Sequence, residues 1–243
     1  MIVLIGTGHV FNLSQALISI FEEKQPQIVC VELDNQRYQA LMYKQSNPES
    51  YKNMKKNVPI LYKILARFQE SMAKEYGVTA GQEMLTAINY ARSHQLPVAF
   101  IDMNAQNLFS RMLKSMSLSE KLKLMLSGFG GFFINKKNVE KELEKIEKDF
   151  DKYIVEIGKK FPTIKRVLID ERDQHMLQQL IAAGEQHERV VAVIGDGHVP
   201  GISQLLTKKE IKFETVRLNE LLKHGTGGSD SSTASFSMEY RQL

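Results

Sequence analysis

Apolar residues in this chain follow two rhythms, and their alternation predicts the architecture. Short runs rich in Val, Ile and aromatic residues, "MIVLIG", "QIVCVELD", "LPVAFID", "ERVVAVIG" and "IKFETVRL", read as strands. The second is continuous in Val, Ile and Cys, as expected of a strand buried on both faces. Between these runs the apolar positions recur at helical spacing. "NLSQALISIFEEKQ" predicts an amphipathic helix that Asn12 or Ser14 would cap. A long helical region follows from about Asn35 to His94, broken near Pro48, Pro59 and Gly77. Met176, Leu177, Leu180 and Ile181 line one face of another helix. Strand and helix in this order predict an α/β fold: a central, mainly parallel sheet flanked by helices.

A helical insertion, about residues 105–165, separates the third and fourth strands. Within it Val139, Leu143, Ile146, Phe150, Tyr153 and Ile157 step by four and three, an a/d seam. Such a seam packs on the body of the chain or pairs two copies into a homodimer. From Gly225 on, glycine, serine and threonine dominate, which predicts a flexible tail over 225–243. Residues 1–224 would then form a single domain.

Composition is that of an ordinary globular chain: 43% hydrophobic and 25% charged over 243 residues. The net charge of +4 comes from 32 basic and 28 acidic residues that are interspersed. The most basic aromatic stretch, Tyr51 to Lys63, reads more simply as a solvated helix face, so no nucleic-acid partner is expected. Cys30, the single cysteine, lies in an apolar run and predicts a buried thiol in a reducing compartment. The chain opens without a basic leader or signal-peptide cleavage site. Its longest charge-free apolar stretch, Leu124 to Ile134, is too short for a bilayer helix of about 20 residues. The chain as given is expected to be soluble.

Sites in open parallel sheets form outside the carboxyl ends of the strands. There the predicted strands deliver His9, Glu32, Asp34, Asp102 and His198 to one edge. The two histidines sit in near-repeats, "LIGTGHV" and "VIGDGHV". A dinucleotide loop would need a small residue three positions after the second glycine, but Phe11 and Pro200 stand there. Two imidazoles and a carboxylate instead suit a divalent metal held by His9, Glu32 and His198. In the simplest alternative, each histidine only hydrogen-bonds its own loop. Arg37 follows the strand-two carboxylates and could pair with them or bind a substrate carboxylate. Gln82 and Glu83 stand at a helix start, in a capping or a catalytic role. In "DERDQHM", Glu171, Arg172 and Asp173 form either an exposed salt-bridged turn or part of the pocket. A serine hydrolase elbow, G-x-S-x-G, is absent.

Taken together, "GTGHV", "VCVELDNQRYQAL", "GQEMLTAINYA", "VLIDERDQHM" and "VAVIGDGHVPGI" resemble the TraB/PrgY family in content and order, from about residue 1 to residue 222. That family is associated with shutdown of bacterial peptide sex pheromones in conjugation. It is similar to the Tiki proteins, proposed metalloproteases with paired G-x-x-H motifs and a glutamate. Gly6 to His9, Gly195 to His198 and Glu32 match those elements. The resemblance implies a metal-dependent hydrolase using Mn, Co or Zn on a short hydrophobic peptide. Glu171 or Asp173 would move protons, and Arg37 or Arg172 would orient substrate or stabilise charge. A module of the same shape that sequesters peptide without turnover is the alternative. Family members often continue into membrane segments, which implies cytoplasmic or membrane-associated placement.

Overall fold

The structure is a computed structural model and describes residues 1–8, 12–46, 81–123 and 158–226. Five parallel strands form its sheet: β1 (Ile2–Thr7), β2 (Ile28–Val31), β3 (Val98–Phe100), β4 (Val190–Gly195) and β5 (Phe213–Val216). Their order across the sheet is β3-β2-β4-β1-β5. Each strand-like run of the sequence therefore became a strand. The order brings β1 and β2 to the two sides of β4, with Thr7 opposite Gly195 and Val31 opposite Val193. The segments that leave these three strands are thereby neighbours at one sheet edge.

Strand pleating sends alternate residues to opposite faces. On one face, Val3, Ile5, Val29, Val31, Val191 and Val193 pack beneath α1 (Ser14–Lys24), α3 (Gln82–Ser93) and α8 (Leu218–Thr226). On the other, Leu4, Cys30, Ala192 and Ile194 meet Met176, Leu177 and Leu180 of α6 (Glu171–Gln186). Ile202 and Leu206 of α7 (Val199–Lys208) join them there. Each fully buried side chain of this size contributes roughly 1.5–3 kcal/mol. Cys30 is fully buried, and desolvation pushes its thiol up to about 12, so it remains protonated and inert.

Three more elements complete the frame. Helix α2 (Asn35–Ser46) follows β2, and α4 (Ala105–Ser115) follows β3. The short helix α5 (Pro162–Lys165) runs into a π-helical turn, Arg166–Asp170, that leads into α6. Leu108 and Met112 of α4 bury against Val167 of that turn. The two ends of the insertion are also tied by Glu120. Its carboxylate accepts from the Ser117 N–H at 3.0 Å and the Thr163 N–H at 2.8 Å. The Ser117 hydroxyl accepts in turn from the Glu120 N–H, completing a capping box.

One local expectation needs correction. Leu13 occupies the N-cap of α1 and makes no side-chain cap, while Asn12 Oδ1, one residue earlier, accepts from the Ser14 N–H at 3.4 Å. Ser14 begins the helix, and its hydroxyl bonds Thr86 of α3 at 3.0 Å, a tertiary link that local propensity does not anticipate. Helix α8 continues through Gly225 and Thr226, two residues into the stretch expected to be a tail. The heptad seam, the apolar 124–134 stretch, the basic 51–63 stretch and residues 227–243 lie outside the described residues.

Candidate functional site

Beyond β2, the chain places Glu32 where its N–H still donates to Val193 of β4 at 3.0 Å. Its side chain turns across the end of β4. One carboxylate oxygen accepts from the Gly195 N–H at 2.5 Å, and the other accepts from Arg172. Gly195 suits this close approach, since a Cβ there would lie 3.2 Å from the Glu32 Oε2.

Arg172 holds two strands together. Its Nε donates to Asp102 Oδ1 at 2.9 Å and its Nη2 to Asp102 Oδ2 at 2.7 Å, while Nη2 also reaches Glu32. Its Nη1 donates to the Leu168 carbonyl, inside the π-helical turn, at 3.2 Å. Burial works against the Arg172 charge, but Glu32 and Asp102 outweigh it and hold its pKa above the usual guanidinium value. Arg37 donates to Asp34 at 2.9 Å, to the Glu32 carbonyl at 3.2 Å and to Asp102. Asp34 also caps the start of α2, accepting from the Gln36 and Arg37 N–H groups at 2.8 and 3.1 Å.

The turn after β4 delivers His198, which is 4% exposed. Its Nδ1 lies 2.6 Å from Asp173 Oδ1, and its Nε2 lies 3.5 Å from Glu32 Oε1. A carboxylate only accepts, so Nδ1 carries the proton and donates it to Asp173. In the neutral imidazole, Nε2 then faces an oxygen of Glu32 with its lone pair. Two acceptors so placed repel each other unless a proton or a cation lies between them. Burial raises the Asp173 pKa, and its bond to His198 opposes that shift. A Cβ on Gly201 would lie 2.0 Å from Asp173 Oδ2. Only glycine at that point of α7 lets the aspartate reach the histidine.

Charge completes the picture. Glu32, Asp34, Asp102 and Asp173 are all buried. Among the described residues, two guanidiniums, Arg37 and Arg172, stand against these four carboxylates, a formal charge of −2 when His198 is neutral. A buried excess of that sign favours a divalent cation and disfavours a phosphate. The fit to a metal rests on this charge and on the donor types: an imidazole Nε2 whose other nitrogen is fixed by a carboxylate, beside a second carboxylate. Among the described residues no group of three His, Cys, Asp or Glu is arranged to hold a metal ion. His9, the expected third ligand, lies outside the described residues.

Of the other residues singled out in the sequence, Glu32, Arg37, Arg172, Asp173 and His198 come together. Glu171 makes its ion pairs elsewhere, with Arg111 at 2.8 Å and Arg166 at 3.8 Å. Glu83 is buried in the first turn of α3, where Gly81, at φ 87°, takes the cap. Asp196 is engaged structurally. It accepts from Arg217 at 2.9 and 2.8 Å and from the Leu218 N–H at 2.9 Å, fixing α8. A Cβ on Gly6 would lie 2.1 Å from Asp196 Oδ1, so the first glycine-rich turn makes room for the second. The link from Asp102 to Arg172 was not visible in the sequence, because it depends on how the π-helical turn aims α6.

Beside this cluster opens a cleft of about 780 Å3 between α2, α4 and α6, with Asp34 and Asp102 at one end. Ligand clefts commonly measure about 300–1,000 Å3.

Comparison with known proteins gives the following likenesses. A profile of the TraB/PrgY/gumN family matches residues 1–215. An uncharacterized protein of Methanocaldococcus jannaschii is 32% identical over 232 residues, covering 91% of this chain and 57% of that protein. TraB domain-containing proteins of Bos taurus and Mus musculus are 23% and 22% identical, each covering 82% of this chain and 61% of the relative. The chain thus spans little more than half the length of these relatives.

Proposed function

The chain belongs to the TraB/PrgY/gumN family, and from that premise we propose that it is a metal-dependent hydrolase acting on short hydrophobic peptides, of which a peptide pheromone is one example. The observation that carries this reading is His198 Nε2 held 3.5 Å from Glu32 while Nδ1 is engaged by Asp173. His198 and Glu32 would hold a divalent ion, with His9 as third ligand. Such an ion supplies Lewis acidity to a carbonyl and lowers the pKa of a water toward about 7.

The chain's own residues do the rest. Asp173 keeps His198 in one tautomer and one orientation, as carboxylates behind ligating histidines do. Arg172 fixes the Glu32 carboxylate from one side and the Gly195 N–H fixes it from the other. Arg37, 35% exposed at its side chain, is the guanidinium closest to solvent in the cluster and orients an incoming carboxylate or carbonyl.

Hydrolysis separates this reading from peptide sequestration. The full chain, incubated with short apolar peptides and Mn, Co or Zn, should yield fragments by mass spectrometry, and EDTA should stop their formation. Intact peptide that copurifies and never fragments would favour sequestration. Among the described residues no helix is long and apolar enough to cross a membrane.

A further inference from the structure

We infer that the cleft beside the His198–Glu32 cluster binds the carboxyl-terminal stretch of an extended peptide, with its free α-carboxylate lying against Lys114 and Arg111. This rests on the hydrolase reading for its neighbour, but it is argued from the cleft itself. Asn104, Asn107, Arg111 and Lys114 step along α4 by three, four and three, which puts them on one face of the helix. The adjoining face carries Leu108 and Met112, buried against Val167. That apolar contact fixes the rotation of α4, and the polar stripe beside it lines the cleft.

Across the cleft stand Asn35 and Gln36 at the start of α2. A side-chain amide offers both a donor and an acceptor, the same pair that each peptide unit presents. Asn104 already uses its carbonyl oxygen to cap α4, accepting from the Asn107 N–H at 3.1 Å, but its NH2 group and the amides of Asn35, Gln36 and Asn107 suit a main chain in extended form. The ends of the cleft differ in charge. At the inner end Asp34 and Asp102 are already engaged by Arg37 and Arg172. At the outer end Arg111 is held by Glu171 at 2.8 Å, while Lys114 makes no ion pair among the described residues. Among the described residues, Lys114 is thus an unpaired cation where the amide stripe ends, and a terminal carboxylate complements it. The peptide would run from the His198–Glu32 cluster outward, its carboxyl end at Lys114.

The test uses the full chain in EDTA, so that binding is read without turnover. Two pools of fluorescein-labelled apolar hexapeptides serve as probes, one ending in a free carboxylate and one in an amide. Anisotropy should show the free acids binding about tenfold more tightly than the amides. Lys114→Gln should remove most of that difference while leaving amide binding unchanged. Asn107→Ala should weaken both pools alike. Equal binding of acid and amide, no binding of either, or a Lys114→Gln protein that keeps the full preference overturns the inference. Product formation with added metal is scored separately. Binding of the predicted pattern with no product defeats the hydrolase reading and leaves the cleft assignment standing. Cleavage that ignores both amidation and Lys114→Gln does the reverse.

Discussion

The Asp173 carboxylate meets His198 Nδ1 at 2.6 Å, joining α6 to the turn after β4, with both residues buried. This contact decides which nitrogen of the imidazole is left for a ligand. Asp173→Asn cannot accept in the same way, and it releases the tautomer. Divalent-ion affinity, measured by calorimetry with Mn, Co or Zn, should fall by about 10–100-fold while the circular dichroism spectrum is retained. Unchanged affinity would mean that the pair is only structural.

The same pair depends on Gly201. Gly201→Ala puts a methyl group where Asp173 Oδ2 now sits. The expected cost is about 1–3 kcal/mol in urea unfolding, together with loss of ion affinity. Gly184, also helical, has nothing within 4 Å of its Cβ position. Gly184→Ala should therefore stabilise by about 0.5–1 kcal/mol. Opposite signs for two glycine replacements in neighbouring helices would be hard to explain by propensity alone.

Arg172 compensates two buried carboxylates, one just beyond β2 and one just beyond β3. Arg172→Met leaves Glu32 and Asp102 without their main counter-charge and should cost about 3–5 kcal/mol. Arg172→Lys keeps the charge but lacks the planar fork that reaches both acids, so it should fall between. Chemical denaturation of the three proteins at neutral pH gives this order, and equal stability of the Met variant would contradict it.

Glu120 predicts an acid-sensitive tie. Hydrogen bonds from Thr163 and Ser117 hold its carboxyl down at about 2, against an ordinary 4.5. A depressed acid contributes stability that is present above its unfolded pKa and is lost as pH falls toward the folded one. Thermal midpoints should therefore drop between pH 4.5 and about 2, and Glu120→Gln should flatten that part of the curve. An identical pH profile for both proteins would remove Glu120 from the account.

The sheet was legible in the sequence because β1, β2 and β4 are continuous apolar runs, which no amphipathic helix produces. His198 and Glu32 were legible because they end such runs, and a parallel sheet gathers strand ends at one edge. Arg172 and Asp173 stood out only as a charged turn. Their roles depend on a π-helical turn, and no pattern in "RVLID" signals one. Asp102 was placed at the correct edge, but its partner lies 70 residues away. The role of Gly201 was hidden for a different reason: beside Pro200 it reads as an ordinary helix start. Only the position of Asp173 shows why that glycine is needed. The pairing of Asp196 with Arg217 likewise follows from tertiary approach, since β5 must first lie beside β1.

The most direct test of the central claim is anomalous diffraction from crystals soaked in Mn, Co or Zn. The account predicts a peak between His198 Nε2 and the Glu32 carboxylate, at about 2.0–2.2 Å from each ligand for zinc, and its loss in His198→Ala. A soaked crystal with no peak there, or a peak that survives His198→Ala, would contradict it.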